Sequence, residues 1–151
     1  MADVAESVVV DASLAEAWEL YFDPDMWPAW VDGFARVRSA SGYPERGGEL
    51  RWESTPAGRG LVTERVLEHE PRRLHRVEFS DPESEGELKT TFEITGEQQT
   101  RVEQEMTYRL PGGGPLRSLT DALFIRPQFR RSLRRSLERF RIEAEERASI
   151  I

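Results

Sequence analysis

The sequence predicts an α+β fold in which a curved antiparallel sheet of about seven strands is closed by one long C-terminal helix, with two short helices after the first strand. Three observations carry this. The stretch from Phe34 to Leu110 is a series of β-branched and aromatic segments cut by turn residues. The stretch from about Pro115 to Arg147 carries a one-sided apolar pattern of helical period. Between a first strand and the remaining strands lies a helix-start signature, Ser13 followed three residues later by Glu16.

The first strand spans residues 4–12, where Val8, Val9 and Val10 form a β-branched run that Asp11-Ala12-Ser13 ends. Ser13 and Glu16 then satisfy each other's free amides at the helix start. Ala15, Trp18, Leu20, Tyr21 and Phe22 give that helix an apolar face, and Asp23-Pro24 stops it. A second short helical turn carries Met26, Trp27, Trp30 and Val31, with Pro28 within its first turn.

Six further strands are expected near 34–41, 48–55, 60–69, 73–80, 86–95 and 100–110. The breaks between them are chemically explicit, as in Thr55-Pro56-Ala57-Gly58 and Ser80-Asp81-Pro82. Alternation is clearest late. Leu88, Thr90, Phe92 and Ile94 share one face; Val102, Gln104, Met106, Tyr108 and Leu110 do the same on the last strand, opposite Arg101, Glu103, Glu105, Thr107 and Arg109. An antiparallel sheet covered on one face behaves this way.

Gly112-Gly113-Gly114-Pro115 ends the strands, and Pro127 interrupts or kinks the helix beyond them. After that proline Phe129, Leu133, Leu137, Phe140 and Ala144 fall in one stripe, with Arg131, Arg134, Arg135 and Arg139 pointing away.

At 151 residues the chain has the length of a single domain. It has no cysteine, which removes disulfides, thiolate zinc sites and thiol nucleophiles. A net charge of −7 argues against nucleic-acid binding, because phosphate affinity rests on many basic contacts. Lys89 is the sole lysine, a skew that weakens any argument from arginine clusters. No signal peptide is visible at Met1-Ala2-Asp3-Val4, and no apolar run approaches the ~20 residues of a membrane span, so a soluble cytoplasmic protein is expected. Its oligomeric state, monomer or homodimer, stays open.

The order of these pieces resembles the START/Bet v 1-like superfamily with its helix-grip fold, and within it the polyketide cyclase/dehydrase and lipid transport group. The resemblance rests on Asp11-Ala12-Ser13-Leu14-Ala15-Glu16-Ala17-Trp18, on Asp23 to Trp30, on the turn Leu67 to Leu74, and on the helix Ser132 to Phe140. It spans essentially the whole chain. It implies a cavity between sheet and C-terminal helix for a hydrophobic small molecule, and it transfers no catalytic residue.

Trp30, Trp52, Phe92, Tyr108 and Phe129 are the candidate cavity aromatics, against the competing reading that they only fill the core. Arg126 and Arg130 edge the apolar stripe. Either binds an acidic ligand group, or its stem packs while its charge stays in water. Glu64 and Glu78 are candidate proton-transfer acids if they face inward. His69 and His75 flank Glu70-Pro71, where a turn is expected to hold them apart, and no acidic cluster completes a metal set. No cofactor is expected: Gly112-Gly113-Gly114 lacks the Lys-Ser/Thr of a phosphate loop.

Three functions are expected, in order of support. The first is binding of a hydrophobic or amphipathic molecule of lipid, polyketide or quinone-like type. The second is a polyketide aromatase/cyclase or dehydratase, and the third a protein-interaction module using the arginine face of the last helix.

Overall fold

Strand β1 (Ala2–Val10) pairs with the last strand of the chain rather than with its sequence neighbour, and that pairing fixes the architecture. The computed structural model describes residues 2–56, 58–110, 116 and 120–150. After β1 come α1 (Leu14–Tyr21), a 3-10 turn (Pro24–Met26) and α2 (Trp27–Trp30). Next are β2 (Phe34–Ser41), β3 (Glu49–Ser54), β4 (Leu61–Glu70), β5 (Leu74–Ser80), β6 (Glu85–Gly96) and β7 (Gln99–Arg109). A π-helical turn (Asp121–Ile125) leads into α3 (Arg126–Ser149). The sheet is antiparallel throughout, in the order β1-β7-β6-β5-β4-β3-β2.

The start of α1 forms as its sequence dictates. The Glu16 N–H donates to Ser13 Oγ at 3.1 Å, and the Ser13 N–H donates to Glu16 Oε1 at 3.3 Å. Asp23 caps the 3-10 turn in the same manner, accepting from the Asp25 N–H at 3.1 Å.

The sheet buries one face. Val102, Gln104, Met106 and Tyr108 of β7 are buried, and Phe92 and Thr90 of β6 join them. Ile94, expected on the same face, is 65% exposed. It pairs in register with Thr100 at the hairpin end of β6, just before the register shift between Ile94 and Gly96. In β4 a shift between Val66 and Glu68 bends the strand and reverses the parity of the residues beyond it.

Helix α3 lies against β1 and α2. Leu133, Leu137, Phe140 and Ala144 form its buried stripe, with Ser136 beside them and Phe129 half-buried. The expected helix start near Pro115 lies outside the described residues. Pro127 falls within the first turn of α3, and the turn ahead of it has widened to π geometry. Proline supplies no N–H and its ring crowds the carbonyl four residues back, so a regular α-turn cannot run through it.

The outer arginines mostly have partners. Arg134 reaches Glu6 of β1 at 2.9 Å, Arg139 reaches Asp32 at 3.4 Å, and Arg141 bridges Glu138 and Glu145. No described helix is long and apolar enough to cross a membrane.

Candidate ligand cavity

Two short helices deliver the aromatic part of the site. Tyr21 comes from the last turn of α1, and Trp27 and Trp30 fill α2. The Trp27 indole N–H donates to the Tyr21 carbonyl at 2.8 Å, tying the helices together. Trp52 of β3, Leu50 and Phe34 add to the wall from the sheet, while Phe129, Leu133 and Ser136 close it from α3. These residues surround a cavity of about 110 Å³.

Polar groups converge on it from four strands. Gln104 of β7 donates through Nε2 to the Tyr21 hydroxyl at 3.1 Å, and the hydroxyls of Tyr21 and Thr90 are bonded at 2.7 Å. Burial pushes the Tyr21 phenol up to about 12, outweighing the hydrogen bonds from Thr90 and Gln104, so it stays neutral. Glu64 of β4 accepts from the Trp52 indole N–H at 2.9 Å. Burial raises its pKa, with that hydrogen bond and the charge of Arg59 pulling the other way. Tyr43 is held well above its ordinary value, chiefly by burial and next by the charge of Glu64.

Arg59, from the β3–β4 connection, stands at the neck. Its Nε donates to Asp81 Oδ2 at 2.9 Å, and its guanidinium lies 4.9 Å from the Phe79 ring centre and 5.7 Å from that of Trp52. Asp81 is fixed in turn by the amides of Glu83 and Ser84 and by the Ser84 hydroxyl. Outside the neck lies a groove of about 680 Å³, which shares Asp32, Arg59, Phe129 and Ser132 with the inner cavity.

Of the aromatics singled out in the sequence, Trp30, Trp52 and Phe129 border the cavity. Phe92 and Tyr108 do not. Phe92 lies behind the wall, packed on Trp18 at 4.9 Å and Tyr21 at 5.4 Å, and Tyr108 is covered by Phe129 at 4.7 Å. Arg126 is half-buried at the start of α3 and Arg130 is exposed; neither borders the cavity or the groove. Gln128, Arg131 and Arg135 of the same helix line the groove instead. Glu64 faces inward between Val62 and Val66. Glu78 faces outward, because Val77 and Phe79 take the inner positions of β5.

The two histidines are brought together, contrary to expectation. The hairpin turn is tight enough that His69 and His75 are direct cross-strand partners, with their Nδ1 atoms 3.0 Å apart. The β4 bulge is what turns His69 to the side of His75. Both pack among Trp18, Phe22 and Tyr43. Burial, and then the neighbouring His69, push His75 down to about 3. Among the described residues no group of three or more His, Asp or Glu gathers as a metal site.

Arg59, Tyr21 and Gln104 were not proposed as site residues from the sequence, and His75 was weighed there only as a metal ligand. Gln104 and Thr90 did leave a trace, as polar residues on strand faces otherwise apolar. Arg59 left none, since a turn arginine between two glycines carries no pattern.

A sheet packed on one face by a long helix, with a small chamber between them, defines a helix-grip ligand-binding domain. The chain belongs to the polyketide cyclase/dehydrase and lipid transport family, which matches residues 1–145. No curated protein matches the sequence. Solved structures of similar fold include a protein from Chromobacterium violaceum, 14% identical with a TM-score of 0.71, covering 95% of this chain and 96% of that one. A conserved protein from Geobacillus kaustophilus is 9% identical with a TM-score of 0.70, over 99% and 96% of the two chains. Norcoclaurine synthase from Thalictrum flavum, solved with dopamine and hydroxybenzaldehyde, is 14% identical with a TM-score of 0.64, over 94% and 87%.

Proposed function

We propose that this protein binds a hydrophobic or amphipathic small molecule, of lipid, polyketide or quinone-like type, between the sheet and α3. The observation that carries the reading is the chamber walled by Trp27, Trp30, Phe34 and Trp52, with Glu64 and Gln104 among them. Aromatic walls with a few placed polar groups are what a ligand pocket requires. The likeness in fold to a synthase solved with two small aromatic molecules supports the same reading. Native mass spectrometry after mild purification tests it, beside a Leu50→Phe variant whose larger side chain fills the chamber. A retained small molecule in the parent and its loss in a folded variant are expected. Failure of the parent to bind anything from lipid and phenolic libraries would sink the reading.

A second reading is catalytic, a polyketide aromatase/cyclase or dehydratase, and Glu64 favours it. A carboxyl with a raised pKa beside the phenols of Tyr21 and Tyr43 is suited to moving a proton on a bound carbonyl compound. If such turnover exists, Glu64→Gln lowers kcat by about 10²–10⁴-fold. Unchanged turnover in that variant rules Glu64 out as the acid.

A further inference from the structure

The inner chamber is small for a chain-like ligand and polar for a dry one. Ligand pockets commonly hold roughly 300–1,000 Å³, whereas this chamber is about 110 Å³, on the scale of a single ring. Three of its residues, Trp30, His75 and Gln104, are 3%, 3% and 4% exposed. Each has an atom, Trp30 Nε1, His75 Nε2 and Gln104 Oε1, with no hydrogen-bond partner among the described residues. The orientation of Gln104 is set by its bond to Tyr21. Nε2 is spent there, so Oε1 is left to accept. Trp30 Nε1 can only donate. Glu64 spends one oxygen on Trp52. A hydrocarbon tail satisfies none of these groups; an oxygenated ring offers both an acceptor and a donor.

Charge narrows the class. Arg59 at the neck, whose Nη2 has no partner among the described residues, opposes an ammonium group, and the uncharged Trp30 and Gln104 at the inner end offer nothing to hold a carboxylate there. Outside the neck the groove offers apolar surface at Leu110, Ile125 and Phe129. Resting on the small-molecule reading above, we propose that the ligand is a neutral alkyl-substituted phenol bound ring-first. Its hydroxyl lies inside between Trp30 and Gln104, and its alkyl part leaves past Arg59 into the groove. This is the reverse of a lipid held with its tail buried and its head outside.

Isothermal titration calorimetry with 4-butylphenol, butylbenzene and decanoate tests the orientation. The phenol is expected to bind at least about tenfold more tightly than either of the others, since a buried polar atom left unpaired costs about 1–3 kcal/mol. Gln104→Leu and Trp30→Phe should each erase most of that preference while butylbenzene binds as before. Equal affinity for phenol and butylbenzene, or tighter binding of decanoate, overturns the ring-first proposal and leaves the small-molecule reading standing. A preference for phenol that survives both substitutions overturns the assignment to these two residues. No binding of any of the three compounds overturns the ring-first proposal, and the library screen by native mass spectrometry decides the small-molecule reading separately.

Discussion

Glu64 and His75 border the same chamber, yet their shifts act on stability in opposite pH ranges. The folded pKa of His75 lies at about 3, below the 6.5 of a free imidazole, so the unfolded chain binds the extra proton first. Stability attached to His75 is therefore complete above about 6.5 and is lost as pH falls from there toward 3. The titratable neighbour facing it is His69, whose own pKa is lowered by burial. Glu64 has a raised folded pKa, so its native environment prefers the protonated form. Its contribution is present below the ordinary carboxyl value of 4.5 and is lost as pH rises. Glu64→Gln keeps an oxygen to accept from Trp52 and removes the buried charge. Urea unfolding at pH 8 should give this variant a midpoint equal to or above the parent's, with any gain shrinking at pH 4. A clearly lower midpoint at pH 8 would show that the charged carboxylate is itself stabilising. His75→Phe should flatten the loss of stability between pH 6.5 and 4, and an unchanged slope would remove His75 as its source.

At the scale of elements, what could be read in advance was whatever repeats. The alternation of β7, the stripe Leu133-Leu137-Phe140-Ala144 and the Ser13–Glu16 pair are local patterns, and the folded chain realises each of them. The histidine pair sits where a period breaks. A bulge in β4 reversed the parity that would have kept His69 away from His75. Bulges and widened turns depend on the partner strand or on packing, so no window of sequence displays them. Gly86 is another such position. It pairs with Tyr108, and a Cβ there would meet the Thr107 carbonyl oxygen at 2.0 Å and the Tyr108 Cα at 2.7 Å. Both are backbone atoms and cannot swing aside. Gly86→Ala is therefore expected to cost about 1–3 kcal/mol, read as a lowered urea midpoint with unchanged slope. A loss below about 0.5 kcal/mol, the range of ordinary surface substitutions, would show that β6 and β7 part easily at this point.

For the whole molecule, the question is by which route a ligand reaches a chamber walled by packed elements. Seven strands form one continuous sheet, so a route through it would break ladder hydrogen bonds that have no other partner. The seam between the α2–β2 corner and α3 is held differently. The Asp32 N–H donates to Ser136 Oγ at 2.9 Å, Ser132 Oγ donates to Asp32 Oδ2 at 2.9 Å, and Arg139 approaches Oδ1 at 3.4 Å. Asp32 borders both the chamber and the outer groove, so this clip lies on the boundary a ligand must cross. Asp32→Ala removes two of the three contacts and keeps the backbone one. It leaves Trp30, Glu64 and Gln104 untouched. Ligand exchange through this seam then requires faster association and faster dissociation together, with Kd altered far less than either rate. Stopped-flow measurement on the tryptophan signal, with 4-butylphenol as ligand, separates the two rates. Parallel acceleration of both locates the passage at the α2–α3 seam. Rates equal to the parent's in Asp32→Ala, with acceleration instead in Arg59→Ala, would move the passage to the neck beneath the β3–β4 connection.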